Sequence, residues 1–544
     1  MIKTKFISPL EKVFREKEPQ LTQFERRAYA GEQYCFQFCI TTTVSGTLYL
    51  DIHSSIADKI KVYEVKYVPA SMADYINPDD YRIFTERTSG YYPDLLEPAP
   101  KALRVVDGYW LTLFITVDGA LPTGEYSIRF VTGDYYVRDV LSDDTFIFSV
   151  SDCALQSCDI PVSLWNYYDC IALAHGKKLF SKSYMRILKN YFSNAVAHGI
   201  NTVFLPLFSH PQKDVEGSTP PVTQLVDASL ENGEYTFDFS RLESFIRMAK
   251  KCGFSYFETS HVASQQGARH CPKIVGKIDG RDGVLFDCHT PCSDPNYIAF
   301  LRKLFRELET LFEKLGIMEK CYFHISDEPL VSTLDNYRTI GEAVRQILPK
   351  AKLIDAVNDV RFAEMKILDY PVVGTNHADE FLDKQIPIWL YYCCDQSSDY
   401  LSNRFFNFPS LRTRVIGVQL YLTAAKGFLH WAYNYWLDVL TRKYVNPRFQ
   451  SDGGGVYPAG DCFIVYPGEE GPYSSLREKA FAAGIRDYRA LKTLEGIRGR
   501  AFVLSLLKKY GFQGLRQYPK DENVFTVFWN EIQKLLEEDK RERQ

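Results

Sequence analysis

From about residue 155 onward the chain alternates strand-like and helix-like segments, and this rhythm constrains the fold more than any other feature. Strand candidates run Ile160–Leu164, Asn201–Phe208, Phe254–Val262, Cys321–Ser326, Lys352–Val357, Pro371–Thr375, Ile386–Cys393 and Gly427–Asn434. Helical patterns fall between most of them. The clearest places Ile298, Leu301, Phe305, Leu308, Phe312 and Leu315 three and four residues apart, which makes one apolar face. Others run Ser183–Ala197 and Arg241–Lys251. Strands that alternate with helices in this way predict a (β/α)8 TIM-type barrel rather than an open doubly wound sheet. No G-x-G-x-x-G follows a strand and no G-x-x-x-x-G-K-[ST] occurs, so no nucleotide cofactor is expected.

The first part of the chain reads differently. Short alternating runs, Tyr34–Thr42, Gly46–His53, Lys59–Val68, Gly108–Val117, Glu125–Thr132 and Asp144–Val150, are divided by turn clusters such as Asn77-Pro-Asp-Asp80 and Leu121-Pro-Thr-Gly124. Strands at this spacing without a helical period predict a β-sandwich, in the role of scaffold or substrate-side wall. The expected organisation is α/β: a β-sandwich over 1–154, a catalytic (β/α)8 barrel over 155–500 and a C-terminal helical segment over 501–544. Within it Leu476–Leu494 reads as a helix against the barrel, and Phe502–Gln544 as two more.

Composition narrows the class. A chain of 544 residues that is 46% apolar can bury large cores. The net charge of −4 and the absence of a basic block, apart from the tail Lys540-Arg541-Glu542-Arg543, argue against a nucleic-acid partner. Met1–Arg15 carries charges and no apolar h-region, and no apolar run approaches ~18 residues, so neither a signal segment nor membrane insertion is expected. The 13 cysteines, an odd number without signal context, read as reduced thiols of a cytoplasmic protein. Cys288-His-Thr-Pro-Cys292 has no second Cys/His pair at zinc spacing, so no metal is expected. Oligomeric state is not readable.

Barrel logic turns strand ends into site candidates, because the C-terminal rim carries the chemistry. The fourth strand ends in Asp327-Glu328-Pro329, and Pro329 biases Glu328 to an extended backbone and ends the ladder. The third ends in Glu258-Thr-Ser-His261, the fifth in Asn358-Asp359, the sixth in Asn376-His377 and the seventh in Tyr391 to Asp395. The eighth gives Trp431-Ala-Tyr433-Asn434-Tyr435-Trp436. Acids, amides, histidines and aromatics on one rim suit a small glycan: polar groups for hydroxyls, rings for sugar faces. The substrate-contact candidates are His261, Asn376, His377, Tyr391, Trp431, Asn434 and Tyr435. By parity Trp431, Tyr433 and Tyr435 face the site and Trp436 the shell.

Adjacent acids on one strand end cannot easily straddle a sugar, as the two carboxylates ~5 Å apart of ordinary retaining glycosidases do. The pair fits better a substrate that supplies its own nucleophile, the carbonyl oxygen of a 2-acetamido group. Asp327 then holds the acetamido N–H and Glu328 protonates the leaving oxygen, its pKa raised by Phe323 and Ile325 or by Asp327. A tyrosine donating to the acetamido carbonyl completes the set, Tyr433 first and Tyr435 second. The alternatives are a two-carboxylate glycosidase using Glu258 or Asp395, and a non-catalytic sugar-binding barrel, against which the intact acid pair speaks.

Several segments carry a resemblance: His198-Gly-Ile-Asn-Thr-Val203, Tyr256-Phe-Glu258 through Pro272-Lys273, His324-Ile-Ser-Asp-Glu-Pro329, Gly427-Phe-Leu-His-Trp-Ala-Tyr-Asn-Tyr435 and Gly460-Asp-Cys-Phe-Ile-Val-Tyr-Pro-Gly468. Together, over roughly residues 155 to 495, the chain resembles glycoside hydrolase family 123. The resemblance implies an exo-acting β-N-acetylgalactosaminidase that retains configuration through an oxazolinium intermediate. It implies Asp327 as the acetamido-orienting residue and Glu328 as acid/base.

Overall fold

A computed structural model describes residues 1–20, 23–72, 89–117, 121–208, 223–265 and 267–543. The turn expected at Asn77–Asp80 and residues 209–222 lie outside the described residues. Two five-stranded sheets come first. One holds, in spatial order, Ile2–Ile7, Tyr34–Thr42, Leu111–Val117, Ile60–Ala70 and Gly90–Pro98, all antiparallel. The other holds Arg27–Ala30, Val140–Ala154, Gly124–Asp134, Gly46–His53 and Leu103–Val105, antiparallel except for its first pair. Phe36, Phe38 and Ile115 of one sheet share a core with Ile128, Phe130, Phe146 and Phe148 of the other.

The second unit is a closed barrel of eight parallel strands. In order they are Val162–Leu164, Thr202–Leu205, Tyr256–Thr259, Cys321–His324, Lys352–Ala356, Tyr370–Gly374, Trp389–Tyr391 and Phe428–His430. Each lies within its expected segment except the sixth, which starts one residue early. Each is short, because the rim loops take over the hydrogen bonding. The helix expected around Leu301 spans Pro295–Lys314. Asp294 caps it by accepting from the Asn296 and Tyr297 amides, and Pro295 sits in its first turn, where a missing N–H costs nothing.

The long connections after the second and third barrel strands build a small sheet of their own, ordered Glu234–Asp238, Asp227–Glu231, Ile274–Ile278, Arg281–Phe286. Its rings Tyr235, Phe237 and Phe286 pack on Phe300 of the Pro295–Lys314 helix. Three helices, Leu476–Arg498, Arg500–Lys509 and Glu522–Arg543, close the chain. The thirteen cysteines are unbridged, Cys394 among the half-buried ones. Among the described residues no helix is long and apolar enough to cross a membrane.

Candidate active site

The fourth strand reaches the rim held on both sides. The Ile325 carbonyl accepts from the Val262 and Ala263 amides, and the Ser326 amide donates to Asp355 Oδ2 at 2.8 Å. Beyond Ser326 the chain must turn, and Glu328 does so with φ +47°, in the left-handed region. The extended backbone expected before Pro329 is therefore not what forms. The Glu328 amide donates to the Ala356 carbonyl of the fifth strand, and that bond holds a conformation a glutamate adopts only under constraint.

The two carboxylates have unequal surroundings. Asp327 is buried, and burial, then the charges of Glu328, Asp355 and Glu258, hold its pKa well above the ordinary carboxylate range. Among the described residues nothing donates a hydrogen bond to the Asp327 carboxylate. Glu328 is half-buried and its Oε1 accepts from the Tyr391 hydroxyl at 2.7 Å. Asn358 in turn donates to that hydroxyl at 2.8 Å. Burial raises the Glu328 pKa, Tyr391 pulls it back, and the charge of Asp395 raises it. Repulsion between the neighbouring Asp327 and Glu328 carboxylates is mutual, and Asp395 is a further like charge acting on Glu328.

Below the pair lies a sealed polar layer. Glu258 is fully buried; one carboxylate oxygen accepts from Ser163 Oγ and the other from Trp165 Nε1 and His324 Nε2. With those partners it is a structural carboxyl group, not a free second one. His261 is also fully buried, its ring packed on His324 and Trp165, in this layer rather than at the mouth.

The other candidates fall in three groups. Tyr391 touches Glu328. Asn376 accepts from Gln396 Nε2 at 2.7 Å beside Gly374, while His377 is exposed at the start of a short helix, Ala378–Asp383. Trp431 and Tyr435 form an aromatic wall with Tyr167 and Tyr457, with ring centroids 4.9 to 6.2 Å apart. Burial, then the neighbouring Tyr435 and Tyr457 and the charge of Asp327, raise the Tyr167 pKa.

Two expectations are corrected. Tyr433 does not face the site: its hydroxyl accepts from Asn194 Nδ2 at 2.9 Å, and it lies against Glu478 in the helical shell. Strand parity fails because the eighth strand ends at His430, where the Ala432 amide donates to His430 Nδ1 and the chain bends. Asn434 is fully buried and spends its amide on the Tyr167 backbone, accepting from the N–H at 2.9 Å and donating to the carbonyl at 3.0 Å. Trp436 does pack in the shell, against Tyr191.

Sequence reasoning missed Tyr167, Tyr457 and Asp355. Tyr167 follows the first barrel strand, whose end could have been read as a rim position. Tyr457 comes from an irregular loop and carried no periodic signal.

Acids, amides and rings at the C-terminal mouth of a closed parallel barrel define a sugar-hydrolase type of site. Residues 165–494 match the family model described as "Glycoside hydrolase 123, catalytic domain", more than half of the chain. The chain belongs to glycoside hydrolase family 123. No match emerges among curated proteins. In fold the chain is similar to a family 123 glycoside hydrolase from Clostridium perfringens, the subject of work on glycolipid glycan hydrolysis, with 14% identity, a TM-score of 0.72, and 99% of this chain and 98% of that chain covered. Slighter likenesses are to a Bacteroides ovatus GH5 xyloglucanase (9% identity, TM-score 0.31, 85% and 98% covered) and to the catalytic domain of GH30 xylanase C from Talaromyces cellulolyticus (11% identity, TM-score 0.33, 60% and 75% covered).

Proposed function

We propose that this glycoside hydrolase releases terminal β-linked N-acetylgalactosamine, or a related 2-acetamido sugar, with retention by substrate-assisted catalysis. The observation that carries this reading is the adjacent, unequal pair Asp327 and Glu328, with the nearby acid Glu258 already committed to three donors. The acetamido carbonyl oxygen attacks the anomeric carbon while the glycosidic C–O bond breaks. Glu328, its pKa raised by burial, gives its proton to the leaving oxygen. Asp327 accepts the acetamido N–H, and that donor favours its ionised form. Water then opens the oxazolinium with Glu328 as base. Tyr435 is the candidate donor to the acetamido carbonyl, since its hydroxyl accepts from Arg442 at 2.7 Å and keeps its own proton to give.

On this reading 1–154 is a β-sandwich scaffold, 155–500 a (β/α)8 catalytic barrel and 501–544 a closing helical segment. The unbridged thiols support a reducing, cytoplasmic setting. A second reading, a two-carboxylate glycosidase, rests on the exposed Asp395, whose charge reaches Glu328. Release of p-nitrophenol from β-GalNAc, β-GlcNAc and β-galactose glycosides separates the two. Cleavage of the acetamido sugars alone supports the proposal; cleavage of the plain galactoside sinks it in favour of Asp395.

A further inference from the structure

The N-terminal sheets touch the barrel unit at several places, one of them a rim segment. The Pro69 carbonyl accepts from Ser451 Oγ at 2.7 Å, Asp452 Oδ2 accepts from Ser71 Oγ and the Met72 amide, and the Met72 carbonyl accepts from the Ala459 amide at 2.7 Å. The strongest tie is deeper. Asp94, on strand Gly90–Pro98, accepts from Arg477 Nε and Nη2, both at 2.9 Å, and from the Tyr466 hydroxyl at 2.6 Å. Asp94 and Arg477 are both essentially without solvent contact.

The far side of the Arg477 guanidinium is committed as well. Nη1 donates to the Gly460 carbonyl at 2.6 Å and to the Phe463 carbonyl at 2.7 Å, closing a loop around Asp461. The loop fits the guanidinium closely. Gly460 has φ +95°, and a Cβ there would stand 2.9 Å from Arg477 Nη1 and from the Phe406 ring. Asp461, so held, accepts from the Trp431 indole N–H at 2.9 Å. Charge-assisted bonds, joined by the backbone of the Gly460–Phe463 loop, therefore lead from the N-terminal sheet to an aromatic ring of the candidate site.

We infer that Asp94 is a positioning residue for the sugar site: through Arg477 it fixes the Gly460–Phe463 loop so that Asp461 holds the Trp431 indole in the orientation that receives substrate. The N-terminal unit is then part of the catalytic machinery's frame, beyond a scaffold or wall. The inference rests on the proposed site at this rim, not on which sugar is cleaved.

A double-mutant cycle with whichever p-nitrophenyl glycoside the wild type cleaves tests it. Asp94→Asn keeps the shape of the side chain and removes the charge. It is expected to raise KM about ten-fold and lower kcat about three-fold or less, and to lose most of that effect in a Trp431→Ala background. Glu97→Gln, which breaks the half-exposed Glu97–Arg448 pair on the same strand, serves as the control and should leave KM unchanged. Tyr466→Phe, which removes one donor to the same carboxylate, carries the cycle if Asp94→Asn does not fold. An undiminished effect in the Trp431→Ala background, or a folded first variant with the wild-type KM, would overturn the inference. A wild type that cleaves only plain galactosides defeats the proposed function and leaves this cycle intact.

Discussion

At the scale of single residues, the roles proposed for Asp327 and Glu328 rest on their unequal environments. Glu328→Gln should lower turnover ~10²–10⁴-fold on poor leaving groups and markedly less on good ones, which need little protonation. Equal losses across a leaving-group series would remove Glu328 from the acid role. Tyr391 donates to the Glu328 carboxylate and so favours its ionised form. Tyr391→Phe should therefore raise the Glu328 pKa further. The alkaline limb of the kcat/KM profile, where the acid is lost, should move to higher pH; a limb that stays put or moves down contradicts the assignment. Asp327→Asn should weaken binding of a thiazoline mimic of the oxazolinium far more than binding of the free sugar. Equal affinities in wild type and variant would make Asp327 a structural carboxylate only.

At the scale of elements, the eight barrel strands were legible because each is an apolar run and helical periods fall between most of them. The register of the residues just beyond them was not. Parity carried from Gly427 to Asn434 assigned Tyr433 to the mouth, yet the strand stops at His430 and a local bond to His430 Nδ1 resets the direction. Tyr433→Phe should accordingly keep activity within about two-fold and cost about 1 kcal/mol of stability, the usual worth of one buried hydrogen bond. A ten-fold fall in kcat without destabilisation would return Tyr433 to the site. Glu258 was legible as an acid at a strand end, but not as one whose donors come from Ser163, Trp165 and His324, two of which lie on strands distant in sequence. The edge strands Ile2–Ile7, Arg27–Ala30, Gly90–Pro98 and Leu103–Val105 escaped the pattern, because runs such as Leu103–Val105 and Arg27–Ala30 are too short to establish a period.

At the scale of the whole molecule, buried carboxylates couple folding to pH. Burial pushes Asp355, Asp461 and Glu478 each up to about 7. An unfolded chain titrates such groups near pH 4, so between roughly pH 4 and 7 the folded state holds protons that the unfolded state has released. Their contribution is complete below the unfolded values and is lost as pH rises through that window. The Tm should fall between pH 5 and 7.5, and Glu478→Gln should flatten part of the slope. A Tm that rises over that interval would show that these groups ionise without penalty in the folded chain. The backbone at position 328 has a different consequence, one of selection rather than titration. A left-handed glutamate that buries its carboxyl is a local liability of about 1–3 kcal/mol, which the proposed acid role of Glu328 would explain. Asparagine adopts that conformation far more readily. Glu328→Asn should thus give a protein that outlasts the wild type on heating while hydrolysing almost nothing, so that a screen for thermal endurance alone would drift toward a dead enzyme at this single codon.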